Sequence, residues 1–140
     1  MIQANEIKPN NIIDTPYGIA TVYGVSKDCV QITLKDNESV FDFDLEDAKP
    51  IELTEEWHNK FGVFKNGFGN FEYRFENKFN LFLTFVFTGD YVMIRQGKEK
   101  RIDDDIVSIF NKDLTKRNMY VHEFQNIVHA LTQTELEINL

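Results

Sequence analysis

Four residues near the C-terminal end, His122, Gln125, Asn126 and His129, combine the chemistry of recognition with the spacing of one helical face. Imidazole can serve as acid or base near neutrality, and primary amides both donate and accept hydrogen bonds. Such a set could bind a polar ligand or move a proton. Solvated helix faces ordinarily carry Lys and Glu instead. Two uses of the set therefore compete: a surface that recognises a partner, or a buried network that fixes the helix against the rest of the chain. Metal binding is poorly supported, because His122 and His129 stand seven apart whereas a helical zinc pair wants a spacing of three or four. No metal and no other cofactor is expected. His58 could join the set only through the tertiary fold.

The remaining chemistry is sparse. Asp42 and Asp44 share one side of a strand, near enough to share a cation or a proton, but a solvated face is the simpler account. Asp103-Asp104-Asp105 reads as an exposed loop that keeps an edge soluble. Gly97-Lys98 lacks the earlier glycine of a phosphate loop and is followed by Glu99. Cys29 is the single cysteine, which excludes an internal disulfide and any CxxC motif and suits a reducing compartment. No Ser, Cys or Thr adjoins a recognisable base and oxyanion motif, so the weight falls on a role other than catalysis. With 15 Lys+Arg against 23 Asp+Glu the net charge is −8, which opposes direct nucleic-acid binding. An acidic protein imitating nucleic acid in a partner's basic groove is the exception. The first residues lack a basic region and an apolar core of the secretory kind, and no apolar run approaches the roughly 20 residues of a membrane helix. A cytoplasmic protein without membrane contact is expected.

The elements that must position these groups follow from periodicity. Val121, Phe124, Ile127, Val128 and Leu131 form an apolar helical stripe opposite His122, Gln125, Asn126, His129 and Gln133. Earlier in the chain, Ile19–Val25, Val30–Leu34 and Phe41–Leu45 alternate as strands around turn chemistry such as Thr15-Pro16-Tyr17-Gly18. Short antiparallel strands so closely spaced predict a small SH3-like curled sheet over residues 1–52. Thr54 is placed to cap a short helix that contains Trp57 and Phe61 and stops at Gly62. Alternation at 71–76 and 81–88, with hairpin dipeptides Asn66-Gly67 and Gly89-Asp90, predicts a β-meander continuing through 91–96. Leu81–Phe87 is apolar on both faces, hence central, and the helix from Tyr120 is the expected cover for that sheet. Ile106–Phe110 is a candidate edge strand, and Leu136, Ile138 and Leu140 alternate as a last one. The fold class is therefore α+β, an SH3-like lobe over 1–52 and a helix, meander and C-terminal helix over 53–140, in one compact unit.

Three patches also resemble a group of small proteins, mostly without assigned activity, common in phages and integrated elements of Bacteroidetes. Glu6-Ile7-Lys8-Pro9-Asn10-Asn11-Ile12 is similar to that group's opening Glu-Leu-Arg-Ile-Gly-Asn. Lys49 to Trp57, followed by Lys60-Phe61-Gly62, is similar to its Pro-Ile-Pro-Leu-Thr-Glu-Glu-Trp-Leu-x-Lys-Phe-Gly-Phe. Tyr120-Val121-His122, Gln125-Asn126 and Ala130-Leu131-Thr132 resemble its closing Tyr-Val-His-x-Leu-Gln-Asn-Leu-Tyr-x-Ala-Leu-Thr-Gly, in the same order and spacing. Two departures stand out: Asn10 and Gln133 occupy positions where the group has Gly. Gln133 leaves the helix end without its expected stop. The resemblance implies a setting, a phage or mobile element in a bacterial cytoplasm, and no catalytic residues. Together these observations favour a non-enzymatic protein that binds a bacterial or phage protein, with inhibition of a host defence system as one form. A small enzyme or ligand-sequestering protein using His122, Asn126 and His129, and a self-assembling structural component, are the alternatives.

Overall fold

The computed structural model of the chain describes residues 2–27, 29–35, 37–76, 81–88, 91–98, 105–111, 119–136 and 138. Among them the alternating stretches form two antiparallel sheets, each a four-strand meander, accompanied by helices in an α+β fold. The chain divides into two compact units, one built from Met1–Leu53 with Met119–Ile138 and the other from Thr54–Asn118.

In the first unit, β1 (Ile12–Thr15), β2 (Gly18–Val25), β3 (Cys29–Leu34) and β4 (Asn37–Asp44) pair in sequence order. The first turn is set by Thr15, whose Oγ1 accepts from Tyr17 N at 3.1 Å and donates to Gly18 O at 2.7 Å. Gly18 takes φ +111°, a conformation L side chains rarely adopt. Alternation then sends Ala20, Val22, Val30, Ile32 and Phe43 into one core with Ile2, Ile7, Ile13 and Ala48. Ile12, next to Ile13 and so on the opposite face of β1, is buried too. A helix, called α2 below, spans Val121–Thr132 and lies against that strand.

The division falls between Leu53 and Thr54, next to the expected one, but α2 lies in the first unit and not in the second, where it was expected. Leu53 N donates to Met119 O at 2.9 Å and Val121 N to Ile51 O at 2.8 Å, so the departing and returning chains run side by side. The helix thereby belongs with the N-terminal sheet. Its apolar stripe shows that it must pack, but a stripe carries no address.

In the second unit, α1 (Glu55–Lys60) precedes β5 (Phe71–Glu76), β6 (Leu81–Phe87), β7 (Tyr91–Lys98) and β8 (Asp105–Asn111). Thr54 stands at the N-cap as expected, although its side chain makes no capping hydrogen bond, and Gly62 follows the helix with φ +84°. β6 is central as its composition predicts, and residues 83–87 are all buried. A helix of this length has no stability of its own and is held by packing. Its His58 stacks on Phe71 with ring centroids 4.2 Å apart, meets Phe87 edge-on at 4.7 Å, and brings Nδ1 within 2.6 Å of the Tyr73 hydroxyl. The turn Gly89-Asp90 and most of Asp103-Asp104-Asp105 lie outside the described residues, and Asp105 opens β8. Leu136 and Ile138 are not in a strand, and Leu140 lies outside the described residues.

Two outcomes are expected. Leu53 and Met119 are hydrogen-bonded neighbours, so a chain in which an Asn-Gly turn replaces residues 54–118 should keep the first unit's sheet and helix. Circular dichroism and a cooperative thermal transition check this, and a non-cooperative melt would refute it. Burial pushes the Tyr73 phenol above its ordinary value. The folded state then holds a proton that the unfolded state releases above a pH of about 10, so stability falls as pH rises beyond that point. In Tyr73→Phe this alkaline loss should shrink, as read from urea midpoints across that range.

Candidate functional site

The residues singled out for recognition chemistry all lie on α2. The helix begins where Tyr120 N donates to Glu123 Oε1 at 2.9 Å and ends at Gln133, whose N donates to His129 O at 2.8 Å with φ 57°. Gln133 thus supplies in left-handed conformation the stop that Gly would supply without strain. Asn10 is the other non-glycine residue with positive φ among those described, at 75°.

The buried face of α2 is rotated from the one its apolar residues define. Val121, Phe124 and Val128 are fully buried, but so nearly are His122 and Gln125, while Leu131 is 47% exposed. Gln125 stands four residues after Val121 and three before Val128, in the middle of the packed stripe. Its side chain occupies that position because both ends of the amide are satisfied by backbone. Oε1 accepts from Ile12 N at 2.9 Å, and Nε2 donates to Asn10 O at 3.1 Å. The amide pairs with the chain on either side of Asn11 as a neighbouring peptide group would.

Asn126 extends the same clamp. Its Oδ1 accepts from Asn11 Nδ2 at 2.9 Å, and its Nδ2 donates to Glu6 O at 2.8 Å. Asn11 is fully buried and uses every polar group it has, since Oδ1 also accepts from Lys8 N at 2.9 Å, its N donates to Lys8 O and its O accepts from Val22 N. The positive φ of Asn10 turns the chain between these contacts, and Asn10 N donates to Val22 O at 2.8 Å. The amides at 125 and 126 thus form an internal network spanning more than a hundred residues of sequence.

The histidines divide. His122 is 3% exposed with its ring stacked beside Tyr120, centroids 5.8 Å apart, so it offers almost no surface to a dissolved substrate. His129 is about two-fifths exposed and places Nε2 3.5 Å from Glu135 Oε1, which also accepts from Lys8 Nζ at 3.1 Å. His58 belongs to the other unit. Among the described residues no group of three His, Cys, Asp or Glu side chains is arranged to hold a metal ion, and no helix is long and apolar enough to cross a membrane.

A second feature was not visible as a site in the sequence. Between α1 and β5, Asn66 does not close a hairpin but organises a loop around itself. Its Oδ1 accepts from Phe68 N at 2.9 Å and Asn70 N at 3.1 Å, and its Nδ2 donates to Glu72 Oε1 at 2.9 Å. Its backbone bonds Asn70 O and Gly69 N, with Gly69 at φ +77°. Lys65 is fixed by Glu55 at 3.0 Å and Val63 N by His58 O at 3.0 Å. This held loop leaves Phe64 68% and Phe68 89% exposed. The signal available beforehand was two phenylalanines flanking Asn-Gly in a stretch without strand alternation.

Removing either clamp amide should be costly. Gln125→Ala leaves the buried Ile12 N without its partner, at about 1–3 kcal/mol, and the part-buried Asn10 O at a smaller cost. Asn126→Ala, which strands Asn11 Nδ2 and Glu6 O, should cost about half as much because that end of the network is less buried. Denaturant midpoints of both variants measure this, and unchanged stability in both would contradict the network. No family model, no curated protein and no solved structure matches this chain.

Proposed function

We propose that this is a non-enzymatic protein of a phage or mobile element that works in the bacterial cytoplasm by binding a bacterial or phage protein. The observation that carries this reading is the loop at 63–70. Five hydrogen bonds through Asn66 hold in place a loop whose two large apolar side chains face water. Burying such a phenylalanine in a partner is worth roughly 1.5–3 kcal/mol, and a loop already ordered loses little entropy on binding. Aromatic anchors of this kind dominate protein interfaces.

The helical site fits a structural role better than a catalytic one, because the amides of Gln125 and Asn126 are bonded to the chain itself and His122 is buried. The phage setting is supported by the three sequence patches. It gains from the left-handed backbone at Asn10 and Gln133, the two positions where the resembled group carries Gly. An SH3-like relation of the N-terminal sheet is supported by its four short antiparallel strands in meander order. The net charge of −8 favours a basic partner, and inhibition of a host defence system by occupying a nucleic-acid groove is the form it would take.

The test is native mass spectrometry of a tagged protein purified gently from its own bacterial background, beside the double variant Phe64→Ser with Phe68→Ser. A co-purifying protein at fixed stoichiometry, lost in the double variant while its melting temperature is retained, is the expected result. Affinity for that partner should fall as salt rises. Recovery of the bare chain, or of the same complex from the double variant, would overturn the assignment to this loop, and salt-insensitive affinity would remove the groove-mimic form.

A further inference from the structure

We infer that the open edge of β4 in the first unit is a docking site for an extended cationic segment of a partner protein, which adds to the N-terminal sheet as a fifth strand. β4 belongs to the first unit and the 63–70 loop to the second. Among the described residues β4 pairs only with β3, whereas the other outer strand, β1, is backed by Lys49 through two backbone hydrogen bonds to Asp14. Among the described residues one edge is closed and the other open. An open edge presents a row of backbone donors and acceptors to any chain that can lie along it.

Burial along β4 marks where a further strand is missing. Phe43 pairs with the fully buried Val30 and is itself 6% exposed. Two residues earlier, Phe41 pairs with the equally buried Ile32 yet remains 38% exposed. The inner face of the sheet is thus sealed at one end of the edge strand and uncovered at the other. A strand placed beside β4 would close it.

Charge selects the occupant. Asp42 and Asp44 are exposed and, alternating with Phe41 and Phe43, project from the face away from the core. A second copy paired about a two-fold axis would set Asp42 against itself or against Asp44 in the registers centred on residues 42 and 43. Like charges directly opposite are destabilising, so the edge disfavours its own copies in those registers. Lys or Arg at alternate positions of an incoming strand would instead face these carboxylates. At its end β4 opens on a cleft of about 370 Å³ that Asp44 and Glu46 line with Leu45 and Ile2, and Lys27 supplies one cation against those two carboxylates. A cationic side chain at the end of the added strand would complete that balance.

The experiment uses the full chain, labelled for amide hydrogen exchange by nuclear magnetic resonance, and two short synthetic peptides, one alternating Lys with Val and the other alternating Glu with Val. The Lys peptide should bind saturably and slow exchange at β4 amides, with the Glu peptide at least about tenfold weaker, as expected for two cross-strand charge pairs changing sign. In the double variant Asp42→Lys with Asp44→Lys the preference should reverse, its unfolding midpoint confirming that it remains folded. Absence of Lys-peptide binding, protection elsewhere than β4, or equal binding of both peptides would overturn the proposal. So would protection of β4 that grows with protein concentration alone, which would identify a second copy as the occupant.

Discussion

The first unit rests on the pairing of two side-chain amides with the backbone at residues 6–12. That segment enters β1 through a left-handed residue, and its polar groups at Asn10 and Ile12 point where no strand follows. A buried donor or acceptor in such a place must be matched. Gln125 and Asn126 match them from a helix, and the apolar residues on either side of Gln125 pack because the amides fix the helix at that height and rotation. Hydrophobic burial drives the contact, and the amides decide which contact is made. The full burial of Asn11, an uncommon fate for that residue type, is the clearest sign that polarity here serves specificity.

The second unit solves a different problem with aromatic packing. Its short helix exists because Trp57 and His58 are buried, and His58 is held among Phe71, Tyr73 and Phe87. Once the helix is fixed, Glu55 reaches Lys65 and His58 O reaches Val63 N, while Glu72 of β5 receives Asn66. The exposed phenylalanines are thereby carried by a scaffold anchored on both sides.

Much of this was legible in the residues. The strands announce themselves by alternation from Gly18 to Asp44, Gly62 marks the end of its helix, and the doubly apolar Leu81–Phe87 is central in its sheet. The clamp was visible only as an unusual concentration of amides, because periodicity assigns polar residues outward and cannot know that a backbone waits for them. For the same reason Gln125 counted toward the polar face while lying in the buried one, and Leu131 the reverse. Asn66-Gly67 carried a hairpin signature, but the Asn66 side chain captures Phe68 N and Asn70 N, which closes a loop on itself. Local chemistry of that kind outweighs dipeptide preference. Which sheet receives α2 was invisible, since the deciding contacts join residues 113 positions apart.

That separation also bears on how the protein is made. A ribosome adds about 5–20 residues per second, so the 113 positions between Ile12 and Gln125 take on the order of 6–23 s to synthesise. From the completion of β4 at Asp44 until Gln125 is added, the N-terminal strands are without the helix that buries Ile12 and Asn11. The nascent chain therefore carries its first sheet uncovered through most of its own synthesis, and the strands made first are the ones that wait longest for their partner.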